Sequence, residues 1–230
     1  MTGPAATKEG IQLCAANAER LLDDSTKTSA PTRVALIELA LEEAAKGWML
    51  YFRLMRDNPE AVKASGVVDF ARSALVQGTK GRTIDELTDI IASFKDHAQL
   101  LMRPPLDEAF QHHRVKLAYV RALVETLAIV LPISSKVEYP PELLKRAIQG
   151  PARFGGLPPA DRVARARKLF DEFLSQEVAE ISVLKESGFY VDISGDGSFI
   201  SPMSRVFKTA ALEELADLLV TSLKGSIRLF

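Results

Sequence analysis

The chain has little of several features that would point to a particular compartment or chemistry. It has one cysteine, Cys14, among 230 residues, so no disulfide can form within it, as is typical of a reducing compartment. Its net charge of −1 and pI near 6.3 give no overall attraction to nucleic acid or anionic membranes. The first ten residues lack the apolar centre of a signal peptide, and charges interrupt every apolar run before the roughly 20 residues of a membrane span. We expect a cytoplasmic protein without a membrane partner.

Motifs of several enzyme and metal-site classes are also missing. The sequence has no P-loop, no Gly-x-Gly-x-x-Gly and no Gly-x-Ser-x-Gly. Di-iron carboxylate bundles need Glu-x-x-His pairs, and no histidine here has a glutamate three residues before it. The stretch "DISGDG" begins like a calcium loop, but Met203 stands where that loop needs a glutamate. We expect neither a bound metal nor a cofactor.

Apolar residues recur at helical spacing over most of the chain. This pattern predicts main helices over about 11–22, 32–55, 83–101, 106–131, 163–184 and 209–223, and weaker ones over 67–75 and 141–148. Only "FYVDI" and "SFIS", on either side of "SGDG", have the pattern of strands joined by an Asp-Gly turn. The prediction is an all-α bundle of about six to eight helices with one small β-hairpin near residues 189–201.

Single residues predict where helices begin and end and where the chain divides. Thr83 and Glu86 form a capping box, Pro132 should end the fourth main helix, and Gly188 should cap the fifth. The clearest internal linker is "GPARFGGLPPAD". We divide the chain into a helical core over 1–135, which carries the Glu-Glu-x-x-Lys helix and His97, and a C-terminal helical part over 136–230. We expect the two parts to pack together as one domain.

The second predicted helix carries a polar stripe on an otherwise apolar surface. Helical spacing places Glu38, Glu42, Glu43 and Lys46 along one side, so the helix should be the central one. One interpretation is a solvated seam in which Glu42 and Lys46 pair at i, i+4, worth about 0.2–0.5 kcal/mol. The other is a polar groove or subunit interface that binds a partner or takes part in chemistry. Spacing does not choose between them, and the hypothesis we carry forward is a groove shared with the helix of His97.

His97 is the candidate for acid–base chemistry, with Lys46 as a possible second catalytic group. Histidine titrates near neutral pH without any perturbation, as a general acid or base should. The alternative is a partly buried histidine that donates to a backbone carbonyl.

A second candidate surface is basic. Arg162, Arg165 and Lys168 stand away from the apolar side of the helix predicted over 163–184. Such a patch could bind RNA phosphates or an acidic partner. The alternative is an ordinary charged surface, and no aromatic residue lies among the basic ones to stack on bases.

Four stretches occur in one order along the chain: "NAERLL" (17–22), "LALEEAAK" (39–46), "FKDHAQLL" (94–101) and "LKESGFYVDISGDGSFISP" (184–202). Together they resemble the AbiV family of bacterial abortive-infection proteins, over nearly the whole chain. The resemblance implies a helical bundle similar to the HEPN type, a homodimer, and phage defence by binding a phage or translational target and blocking phage gene expression. It also implies that Glu42, Glu43, Lys46 and His97 form the polar site.

The chain departs from one HEPN pattern, in which ribonucleases carry an arginine, then four to six other residues, and then a histidine. No arginine stands in that place before any of the three histidines. Nuclease activity therefore does not follow from the fold, and we expect a binding protein rather than an enzyme. Two alternatives stay open. One is a metal-independent ribonuclease with His97 as acid–base and Lys46 stabilising charge on phosphate; the other is a helical interaction module outside phage defence.

Overall fold

The computed structural model of the protein describes residues 4–64, 83–102, 112–134, 159–202 and 209–227. These ranges contain eight α-helices and one two-stranded antiparallel sheet. The helices are α1 Pro4–Ser25, α2 Ala30–Asp57, α3 Pro59–Ala64, α4 Ile84–Met102, α5 His113–Ser134, α6 Pro159–Leu174, α7 Val178–Phe189 and α8 Ala210–Ile227; the strands are β1 Asp192–Ile193 and β2 Phe199–Ile200. The predicted all-α bundle with a small hairpin is confirmed.

Helix α2 is the central element. It packs along α1 and also contacts α4, α5, α7 and α8. Ile37, Leu41 and Met49 on its apolar surface are fully buried, and each such side chain contributes about 1.5–3 kcal/mol. Trp48 is buried too, and its ring N–H donates to the backbone carbonyl of Leu219 on α8 at 3.2 Å. The apolar circumference of α2 thus contacts several neighbours at once.

Both parts of the chain contribute to one hydrophobic core. Ile11 of α1 and Val120 of α5 belong to the same buried cluster as Phe170 of α6 and Leu215 of α8. The C-terminal helices are therefore packed on the N-terminal ones through shared apolar contacts, with α8 against both α1 and α2.

The helix predicted over 163–184 is two helices, α6 and α7. Arg121 of α5 lies at the break and donates to the backbone carbonyls of Leu174 at 2.8 Å and Gln176 at 2.7 Å. The Leu174 carbonyl is an acceptor that loses its helical partner where α6 ends, and the Gln176 carbonyl belongs to the link between α6 and α7. The apolar spacing continues across the break because Phe173 and Ile181 are buried in the same core. The sequence pattern therefore contains no sign of the interruption.

Other helix ends agree in part with the predictions. The capping box is confirmed, since the Thr83 N–H donates to Glu86 Oε2 at 2.9 Å and the Glu86 N–H to Thr83 Oγ1 at 3.3 Å. The prediction that Pro132 ends its helix is wrong, because α5 runs to Ser134. A proline this close to a helix end removes little of the hydrogen-bond ladder.

Some predicted helices lie outside the described residues. These are the helices predicted over 67–75 and 141–148 and the first residues of the one predicted over 106–131.

The hairpin forms at the predicted place with strands of two residues each. Asp192 lies opposite Ile200 and Ile193 opposite Phe199. Gly197 has φ +83°, a left-handed conformation that favours glycine. The Asp196 carboxylate accepts hydrogen bonds from the Ser194 hydroxyl and the Ser198 N–H, which lower the pKa of Asp196 to about 2. A hairpin turn thus explains the letters that resemble a calcium loop.

Gly188 permits a close approach between helices and does not serve as the predicted cap. It lies inside the last turn of α7, which continues to Phe189. A Cβ atom at Gly188 would lie 2.2 Å from the carbonyl oxygen of Pro31 and 3.1 Å from the Cβ of Ala35. Glycine therefore lets α7 pack directly on the backbone at the start of α2.

Replacing Gly188 with alanine should destabilise the protein by about 1–3 kcal/mol, because the obstructing atom belongs to the backbone and cannot rotate away. The matched control is Gly195→Ala in the hairpin, where an added Cβ would meet nothing within 4 Å. The control should change the free energy of unfolding by no more than about 0.5 kcal/mol. Urea unfolding of both variants measures the difference, and equal midpoints would contradict the close approach.

Candidate functional site

The first half of the polar stripe is buried beneath α5 and α7. Glu38 is 1% exposed and Glu42 is 4% exposed. The ammonium group of Lys116 on α5 binds Glu42 Oε2, and that of Lys185 on α7 lies 3.2 Å from Glu42 Oε1. One carboxylate therefore joins three helices. We call Glu38, Glu42, Lys116 and Lys185 the buried ionic cluster.

Glu38 lies one helical turn before Glu42 and is less well paired. Its Oε2 accepts the backbone N–H of Lys185 at 2.5 Å, and its Oε1 is buried with no hydrogen-bond partner in the described ranges. Burial is the largest influence on this carboxyl and raises its pKa to about 8. The Lys185 N–H opposes that rise and the nearby Glu42 adds to it. At neutral pH Glu38 is therefore mostly protonated.

The second half of the stripe is a separate ion pair. Glu43 and Lys46 are partly exposed and bind each other at i, i+3. The pair considered between Glu42 and Lys46 is not formed, because both oxygens of Glu42 have other partners. The stripe thus divides into two buried carboxylates and one pair nearer the surface.

Neither interpretation of the stripe describes Glu38 and Glu42. A solvated seam would leave them exposed, and an open groove would leave their oxygens accessible to a partner. They are instead enclosed by α5 and α7 and bound by groups of this chain. Glu43 and Lys46 fit the solvated seam more closely.

His97 lies on α4 and Arg162 lies on α6, but their side chains are outside what the structure describes. Helix α4 contacts both α2 and α5. The grouping of His97 with Lys46 as catalytic residues stays a prediction.

The two described residues of the basic patch have acidic partners. Arg165 donates from Nε to Glu214 Oε2 at 2.8 Å and from Nη2 to Oε1 at 2.6 Å, a bidentate pair between α6 and α8. Lys168 Nζ lies 3.7 Å from a carboxylate oxygen of Glu172. These pairs reduce the local positive charge, and RNA binding there stays a prediction.

The sequence analysis did not select Lys116 and Lys185, the two cations of the cluster. Both interrupt an apolar face. Lys116 lies four residues before buried Val120, and Lys185 lies four residues after buried Ile181. The sequence signal for these two buried-cluster cations was therefore a charged residue at a position where the helical repeat calls for an apolar one.

Comparisons of the chain with protein-family models, with curated proteins and with solved structures found no match. In the described part of the chain, no helix combines the length and the unbroken apolar character that crossing a bilayer requires. Among the same residues, no three His, Cys, Asp or Glu side chains lie together as metal ligands would.

Breaking the buried ionic cluster should cost far more stability than breaking the outer pair. Glu42→Gln leaves the buried Lys116 ammonium group without its carboxylate, and Lys116→Met leaves the buried Glu42 carboxylate with only the partly exposed Lys185, so each change should cost about 3–5 kcal/mol. The control Lys46→Met removes a partly exposed pair and should cost less than about 1 kcal/mol.

Urea unfolding measures the free energy for each single variant and for the double variant Glu42→Gln with Lys116→Met. The double variant should lose less than the sum of the single losses, since each change removes the same interaction. Additive losses, or a loss for Lys46→Met as large as for Glu42→Gln, would contradict the assignment of the buried cluster.

Proposed function

We propose that this is a cytoplasmic phage-defence protein of the abortive-infection type, which binds a phage-encoded or translational protein and blocks phage gene expression. The ordered resemblance to AbiV proteins suggests the class. One structural observation supports it: Lys185 of the stretch "LKESGFYVDISGDGSFISP" binds Glu42 of "LALEEAAK", 143 residues earlier. Two of the stretches that carry the resemblance therefore contact each other in the fold.

The same contacts favour binding over catalysis. Glu42, Lys116 and Lys185 are engaged with one another, and Lys46 is engaged with Glu43. A ribonuclease of the alternative kind would need a cation available to a phosphate. Glu42, Lys116 and Lys185 hold three helices together, and Lys46 is paired within α2, which suits a protein that acts by presenting a surface.

The surface that α7 presents is the hairpin and the turn before it. Large apolar residues there are 43–77% exposed: Phe189, Tyr190, Val191, Ile193 and Phe199. Ile193 and Phe199 are opposite each other in the ladder, so their side chains lie on the same face. Exposed apolar residues grouped in this way mark protein-interaction surfaces. We call these five residues the hairpin surface.

The charge of this segment indicates the kind of target. Residues 186–202 include Glu186, Asp192 and Asp196 and contain no lysine or arginine. An acidic border would repel RNA phosphates and attract a basic protein surface. The target in this proposal is a protein with an apolar area bordered by lysine or arginine.

Expression of the protein in a susceptible bacterial host should lower the plating efficiency of at least one phage in a broad panel, with infected cells dying before they release progeny. Phe199→Ser should abolish that protection while changing the free energy of unfolding by no more than about 0.5 kcal/mol, because the side chain is exposed. The control Leu13→Ser replaces a residue that is 64% exposed on α1 and should protect fully. Unchanged plating across the panel would contradict the proposed function.

Purified protein incubated with total bacterial RNA, with and without a chelator, should leave the RNA intact, because Lys46 and the two described residues of the basic patch, Arg165 and Lys168, have acidic partners. Gel electrophoresis of the RNA provides the measurement, and His97→Ala is the matched variant. Cleavage by the wild type that disappears in His97→Ala would make the protein a ribonuclease and contradict a role in binding alone.

A further inference from the structure

Both cations of the buried ionic cluster bind one of its two acids, which leaves the other acid, Glu38, without a cationic partner among the described residues. The ammonium groups of Lys116 and Lys185 both bind Glu42. Glu38 receives only the uncharged backbone N–H of Lys185, and its second oxygen has no described partner. An ionised Glu38 would place a second negative charge one turn from Glu42 at a position that is 1% exposed. This geometry favours the protonated acid.

Charged groups on three helices surround Glu38. Glu42 on α2 and Glu186 on α7 oppose its ionisation, whereas the Lys185 side chain on α7 favours it. Lys116 on α5 reaches the site through Glu42, and Arg33 on α2 is directed to Glu213 on α8. The Lys185 N–H also favours ionisation, but burial outweighs it and raises the pKa of Glu38 to about 8.

We propose that Glu38 is a proton-binding site that couples the docking of α7 on α2 to pH. With its proton bound, Glu38 is a neutral acid that fits the closed interface. When the O–H bond ionises, the proton passes to water and the carboxylate remains buried beside Glu42. Movement of α7 away from α2 exposes the carboxylate to water, which removes the cost of its burial and screens its repulsion from Glu42. Because α7 leads into β1 within a few residues, the hairpin surface moves with it.

The direction of the pH dependence follows from the two states of the chain. The pKa of Glu38 is about 8 in the folded protein and 4.5 for an ordinary glutamate. Its stabilising contribution is therefore complete below about pH 4.5 and is lost as the pH rises to about 8. Across that window the unfolding equilibrium constant should increase by up to about tenfold per pH unit, and little further above it.

Urea unfolding between pH 5 and 9 tests the coupling with Glu38→Gln, a neutral amide of the same shape that keeps an acceptor for the Lys185 N–H. The unfolding constant of the wild type, relative to that of Glu38→Gln, should rise by up to about tenfold per pH unit and level off above about pH 8. The control Glu43→Gln changes a partly exposed carboxylate on the same helix, and its unfolding constant should show the same pH dependence as that of the wild type. If the unfolding constants of the wild type and of Glu38→Gln change with pH in the same way, the proposal is overturned.

Hydrogen exchange tests whether α7 is the part that responds. After correction for intrinsic exchange, the amides of α7, including Lys185, should lose protection in the wild type above about pH 8. The amides of α1 should keep theirs, and Glu38→Gln should keep protection in both helices. Protection of α7 that stays constant from pH 6 to 9 in the wild type would overturn the coupling.

A third measurement needs no variant, so it tests the proton site even if the Glu38→Gln protein does not fold. The carboxyl carbon of Glu38, followed by NMR in the wild type, should titrate with a midpoint near 8. A midpoint near the ordinary 4.5 would overturn the proton site. None of these measurements depends on phage defence, so the proposed function and the proton site can fail independently.

Discussion

The contact on which the arrangement of the helices depends is the pair of ammonium groups on the Glu42 carboxylate. This carboxylate is 4% exposed, and its partners come from α5 and α7. A buried ion is strongly unfavourable unless its partners are in place, so packings that separate them are penalised heavily. We infer that the cluster contributes less to net stability than to the selection of one register among three helices whose apolar faces could pack in several ways.

A steric contact supports this polar one on α7. Lys185 and Gly188 lie one helical turn apart, on the face that meets α2. The ammonium group and backbone N–H of Lys185 bind Glu42 and Glu38, while Gly188 allows contact with the backbone at Pro31. Polar and steric constraints together fix both the position of α7 along α2 and the distance between the two helices. The hairpin follows α7 after two residues, so its attachment to the bundle begins at a helix end whose place is fixed.

The features that the sequence predicted are local ones. The capping box at Thr83, the Asp-Gly turn and the apolar spacing of α2 depend on residues within a few positions of one another, and all three were confirmed. Whether the polar stripe is covered or exposed depends on Lys185, which is 143 residues from Glu42 in the chain. The break after α6 similarly depends on Arg121, which belongs to another helix. Periodicity shows which face of a helix is polar but does not show which cations from distant segments will cover it.

Docking against Glu38 makes the packing of α7 on α2 dependent on pH. The apolar contacts among α1, α2 and α8 in the hydrophobic cluster do not change in strength with protonation. The contact of α7 with α2 includes the acid Glu38, so its strength depends on pH. An apolar surface held in place before it meets its target loses less conformational entropy on binding. In our proposal, the hairpin surface is therefore carried on a helix that ionisation of Glu38 releases while the apolar core beneath it stays folded.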